Sequence, residues 1–108
     1  MNKQEQRILT ALCNNLASVG YTLACIRSDF DDTDELAVTT VPALVEIFEK
    51  WDMFAPTVVF TDWQGERQGV MVVEGNLCDF ISDWNCGDTR FDAVVDGVAN
   101  AANGGAFE

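Results

Sequence analysis

The sequence predicts an α+β fold, a mainly antiparallel sheet of about five strands with three helices over one face, in the order α-β-β-α-β-β-β-α. Three observations predict it. Segments of helical and of strand periodicity follow one another along the chain, and the links between successive strands are short enough to favour hairpins. No repeat or linker divides the 108 residues, so residues 1–108 form one domain, long enough to bury a core without cross-links. Hydrophobic residues make up 48% of the chain, which sets it apart from a disordered acidic tail despite a net charge of −12.

From Lys3 to Val19, the apolar positions Ile8, Leu9, Leu12, Leu16 and Val19 fall on one helical face, and Gly20 stands where a C-terminal cap belongs. The segments YTLACIR (21–27) and ELAVT (35–39) follow as strands, joined by the acidic stretch SDFDDTDE (28–35). Thr39 or Thr40 caps a second helix with Pro42 in its first turn. Its core face is Leu44, Ile47, Phe48 and Trp51, and it ends before Pro56. TVVFTDW (57–63) is a strand rich in β-branched and aromatic residues, QGER a turn, and GVMVVE (69–74) the next strand. Gly75-Asn76 signals another turn, with a short strand from Asp79 to Ser82. Thr89 caps a third helix, with Asp92 as its capping-box partner and Phe91, Val94, Val95, Val98 and Ala102 as its apolar face. The tail NGGAFE is expected to fray.

Charge is spread unevenly. Residues 1–27 hold Lys3, Arg7 and Arg27 against Glu5, a net +2, while residues 28–108 hold the other 17 acids and three bases, a net −14. A field of that sign repels nucleic acid and anionic membranes and attracts basic protein surfaces, so direct binding of DNA or RNA is not expected. MNKQEQR leads into an amphipathic helix rather than an apolar stretch, and there is no 18-residue apolar run. The expectation is a cytoplasmic protein with neither signal peptide nor membrane span.

The chemistry-bearing residues argue against an enzyme. The chain has no histidine, so the usual base for a Ser or Cys nucleophile is missing. Glycine-rich phosphate loops are absent. Asp62, Asp79, Asp83 and Asp88 include possible carboxylate pairs, but among 18 acids chance adjacency is expected. Cys13, Cys25, Cys78 and Cys86 form no C-x-x-C pair and read as small, partly buried thiols in a reducing compartment. Within 28–40, Asp29, Asp31 and Thr33 match alternate calcium-loop ligands. Asp34 then stands where that loop needs glycine and Thr40 where it needs a bidentate glutamate. No metal site and no cofactor is therefore expected, weak divalent-ion binding by the clustered carboxylates being the alternative.

Two acidic features suit a protein partner instead. Asp29, Asp31, Asp32, Asp34 and Glu35 crowd one hairpin loop, and Asp88, Asp92 and Asp96 recur every fourth residue along helix three. Carboxylates one helical turn apart, about 5–6 Å, resemble a row of backbone phosphates in spacing and sign. Asp83 and Trp84 add an acid and an aromatic anchor in what reads as an acidic loop, with Trp63 beside a turn as the second anchor.

The segment GVMVVEGNLCDFISDWNCGD carries Gly75, Asn76, Asp79, Ile81, Ser82, Asp83 and Trp84 in the pattern apolar strand, Gly-Asn, then Asp-x-Ile-Ser-Asp-aromatic. Over residues 69–95 it resembles small, mostly uncharacterised proteins carried by phages, plasmids and conjugative elements. In size, acidity and lack of catalytic apparatus the chain looks like the anti-CRISPR and anti-restriction class, some members of which imitate nucleic acid. The resemblance implies a non-catalytic inhibitor that binds a basic, nucleic-acid-binding surface of a host defence protein. A general protein-interaction module whose acidity serves solubility is the competing expectation.

Overall fold

The computed structural model describes residues 1–27, 35–51, 55–75, 80–85 and 87–108. Its elements follow the order expected: α1 (Lys3–Ala17), β1 (Thr22–Arg27), β2 (Glu35–Ala37), α2 (Val41–Lys50), β3 (Thr57–Thr61), β4 (Arg67–Val72), β5 (Ile81–Trp84) and α3 (Thr89–Asn103).

Helix α1 begins with a capping box. The Asn2 side chain accepts from Glu5 N at 2.8 Å, and Glu5 Oε1 accepts from Asn2 N at 3.1 Å. The second Glu5 oxygen accepts from Gly75 N at 2.7 Å, fastening the helix start to the turn after β4. That is how a carboxylate only 2% exposed is satisfied. At the other end Tyr21 N donates to Leu16 O at 2.9 Å around Gly20, whose φ of 93° is the left-handed conformation expected of a helix stop.

Helix α2 is capped by Thr40, whose hydroxyl accepts from Ala43 N. Leu44 and Phe48 are buried and Ile47 packs partly against them, but Trp51 is 56% exposed. The expected core role of Trp51 fails because the helix ends at Lys50. Trp51 takes an extended backbone (φ −114°, ψ 125°) that carries its side chain off the buried face.

The first residue of α3 is Thr89, but its cap is Asp88, which accepts from Arg90 N (2.8 Å) and Phe91 N (3.4 Å). The expected pairing of Thr89 with Asp92 as a capping box is therefore replaced. Phe91, Val95 and Val98 are buried, with Val94 and Ala102 partly so. The tail does not fray. Ala106 N donates to Ala101 O at 3.0 Å, Phe107 packs partly against the core, and Arg7 donates to Phe107 O at 3.3 Å. The aromatic ring of Phe107 gives the tail apolar area to bury, which its Gly-Gly composition alone does not suggest.

The five strands form one sheet in the order β2-β1-β3-β4-β5, each pair of neighbours antiparallel. Leu23, Ile26, Val58, Phe60, Val70, Val72 and Ile81 join the buried residues of all three helices in one core cluster, so the helices cover one face. Strand boundaries differ from expectation along the sheet: β1 starts at Thr22, β3 ends at Thr61 and β4 ends at Val72. β2 stops at Ala37 because Val38 turns inward, 4% exposed, and donates its N–H to Ala24 O beside the bulge in β1. β4 starts at Arg67, two residues early, because Asp62 folds the hairpin tightly: its Oδ1 accepts from both Gln64 N and Glu66 N at 2.9 Å. β5 covers Ile81–Trp84 and so runs two residues beyond the expected end at Ser82, while the expected start, Asp79, lies outside the described residues; pairing Val72 with Ile81 and Val70 with Trp84 turns both β5 side chains toward the helices. Among the described residues no helix is long and apolar enough to cross a membrane.

Candidate functional site

With three helices on one face, the opposite face of the sheet carries whatever the core does not use. Cross-strand partners set its side chains in rows. The first row runs Glu35, Arg27, Thr57, Met71, Asp83 from β2 to β5, and the second Ala37, Cys25, Val59, Gly69. Asn85 extends the second row, since its backbone N–H donates to Gly69 O and its Oδ1 accepts from Gly69 N at 2.6 Å. The third row is Thr22, Thr61, Arg67.

Arg67 spans this face. Its Nη2 donates to Cys25 Sγ at 2.9 Å and pairs with Glu35 Oε2 at 3.0 Å. To reach β1 and β2 from β4 the side chain crosses β3, which accounts for a fully buried Val59 on the face without helices. The guanidinium holds the Glu35 carboxyl below its ordinary range. Burial pushes the Cys25 thiol up, outweighing the opposing pull of Arg67, and burial raises the Cys13 thiol to about 11. Neither is a thiolate near neutral pH, as expected of packing cysteines.

The same face opens into a cavity of about 210 Å³ lined by Arg27, Thr57, Gly69, Met71, Asp83, Trp84 and Asn85. Gly69 makes the room: a Cβ there would lie 2.7 Å from Thr57 Cγ2 and 3.4 Å from Asn85 Oδ1. Two polar atoms of the wall, Arg27 Nε and Thr57 Oγ1, are buried without a hydrogen-bond partner. The pocket was not legible as a site in the sequence. Its one signal was a glycine within a strand-like run.

The acidic candidates divide three ways. Asp29, Asp31, Asp32 and Asp34 lie outside the described residues. Glu35 and Asp83 sit on the two edge strands at opposite ends of one row, Glu35 tied to Arg67 and Asp83 exposed. The α3 stripe is mostly engaged at home. Asp88 caps the helix and its Oδ2 accepts from the Tyr21 hydroxyl at 2.6 Å, and Asp92 accepts from Trp84 Nε1 at 2.7 Å. Asp96 makes only a surface contact, accepting from Asn100 at 3.2 Å. The Tyr21 hydroxyl and the backbone N–H of Arg90 hold the Asp88 carboxyl below its usual range. Burial, then that same carboxylate, push Tyr21 up to about 12.

The two candidate aromatic anchors differ sharply in exposure. Trp84 ends β5 on the helix side, half-buried and bonded to Asp92, rather than standing in a loop. Trp63, at the β3–β4 hairpin, is 82% exposed. Among the described residues no group of three His, Cys, Asp or Glu is placed to hold a metal ion. No family model matches the chain, and no match to it was found among curated proteins or solved structures.

Proposed function

We propose that this chain is a non-catalytic acidic inhibitor of the kind carried by mobile genetic elements. Acting in the cytoplasm, it occupies a basic surface with which a host defence protein holds nucleic acid. The observation that carries the reading is negative charge with little counter-charge at home. All three bases of residues 28–108 already face carboxylates, Lys50 with Glu46 (2.6 Å), Arg67 with Glu35 (3.0 Å) and Arg90 with Asp88 (3.6 Å). The acids of that stretch outnumber them 17 to three. A basic groove built for phosphates offers the missing partner, and association there is favoured by long-range attraction and by release of counterions. Asp83, Asp96 and the carboxylates of 29–34 are the proposed contacts. Asp88 and Asp92 contribute through the fold, and Trp63 supplies an exposed aromatic at the hairpin tip.

The test is capture of partners from host lysate on the immobilised protein at low and at high salt, followed by competition with duplex DNA. Capture that disappears at high salt and is displaced by DNA supports the reading. Changing Asp29, Asp31, Asp32, Asp34 and Asp96 to Asn should then slow association more than it speeds dissociation. Binding that is indifferent to salt and to these changes, yet lost in Trp63→Ala, refutes electrostatic mimicry in favour of an ordinary interaction module.

A further inference from the structure

The cavity on the helix-free face shares one residue, Asp83, with the proposed partner contact and is otherwise built from different side chains. Arg27, Thr57, Met71 and Asp83 are successive cross-strand partners, so along this part of the row a guanidinium, itself beside Glu35, and a carboxylate flank a hydroxyl and a thioether. None of the ion pairs among the described residues includes Arg27. Its Nη2 lies 4.0 Å from where a Gly69 Cβ would stand, which places the guanidinium over the middle of the sheet. Arg27 Nε and the hydroxyl of Thr57, a residue 5% exposed, are left without partners. Unpartnered buried polar groups cost stability, and a ligand that bonds them removes that cost. Asn85, whose oxygen is taken by Gly69 N, offers its amide N–H groups. One oxygen of Asp83 accepts from Trp84 N at 2.9 Å and the other remains for a ligand.

We propose that this cavity binds a small zwitterion, an α-amino acid with a short side chain such as alanine or serine. Its carboxylate bonds Arg27, Thr57 and Asn85, its ammonium faces Asp83, and its side chain rests on Met71. A plain anion is disfavoured by Asp83 and by the charge of the whole chain, and a plain amine by Arg27. A zwitterion meets both walls and carries no net charge into an acidic protein. The cavity, about 210 Å³, has room for a molecule of a few heavy atoms.

The experiment titrates L-alanine into the purified protein, with propionate and ethylamine as size-matched controls at equal ionic strength, read by saturation-transfer NMR and calorimetry. Alanine is expected to bind at least about tenfold more tightly than either control, the loss of one charge-assisted bond. Asp83→Asn, at an exposed position, should weaken alanine and strengthen propionate, a crossed response that a merely structural role does not produce. Arg27→Gln should abolish alanine binding, and if it fails to fold the Asp83→Asn result decides. The proposal is overturned if neither alanine nor serine shows saturation transfer at millimolar concentration, if either control matches alanine, or if Asp83→Asn shifts alanine and propionate alike.

Discussion

Replacing Thr57 by valine should make this protein more stable. Thr57 is 5% exposed, its Cγ2 is wedged beside Gly69, and its hydroxyl oxygen is buried without a partner. Valine keeps the branched shape and the strand preference and removes only the stranded hydroxyl. A buried polar group left unsatisfied costs about 1–3 kcal/mol, and for one neutral hydroxyl the lower end applies, about 1 kcal/mol. At about 2.1 cal/mol/K per residue, unfolding 108 residues carries about 0.23 kcal/mol/K, so Thr57→Val should raise Tm by about 4 °C. Urea titration should show the midpoint moving up at an unchanged slope, the mark of altered stability rather than an altered unfolded state. A lower Tm and midpoint would refute the reasoning, because the hydroxyl would then be bonded and contributing. A stabilised Thr57→Val that also loses alanine binding would mark Thr57 as a residue kept for binding at some expense to the fold.

Tyr21 is the only tyrosine, so near-ultraviolet absorbance of tyrosinate reports on it alone. It should ionise at about 12 in the native protein and about 10 in denaturant. Because the folded value is raised, this linkage stabilises the protein fully below pH about 10 and is lost as pH rises toward about 12. Tyr21→Phe should flatten the alkaline side of the stability profile, and a native midpoint equal to the denatured one would contradict the buried bond to Asp88. Gly69→Ala should destabilise by about 1–3 kcal/mol through overpacking against Thr57 Cγ2. Adding Thr57→Ser, which removes that methyl, should restore most of the loss in a double-mutant cycle, whereas simple additivity would show that the contact is not the cause.

The element order and the face covered by helices were legible because they rest on periodicity. Ile8, Leu12 and Leu16, like Phe91, Val95 and Val98, fall on helical faces whatever their surroundings. What the sequence hid rests on competition between neighbours. Asp88 takes the cap that Thr89 is equally suited for, because Asp88 also accepts a tyrosine hydroxyl that lies 67 residues away. Trp84 looks like an anchor in an acidic loop until pairing with Val70 turns it toward α3, where Asp92 receives its indole N–H. The α3 stripe shows the same limit. Spacing predicted that Asp88, Asp92 and Asp96 align, but it carries no information on which of them the fold has already engaged. Beyond the glycine in a strand-like run, the pocket was hidden because Arg27, Thr57, Gly69, Asp83 and Asn85 come from four strands and their margins, and only register assembles them.

The row that ends in Glu35 and Asp83 also bears on how copies of this chain meet. Among the described residues the sheet has two outer strands, and an outer strand is where a strand from another molecule can add. Here the rims are β2, three residues, and β5, four residues, and each carries a carboxylate. Glu35 is already paired with Arg67, so the local repulsion at a rim comes from Asp83, and addition of a second copy also brings together two bodies of charge −12. Acidity thus works against strand addition at the borders of the sheet.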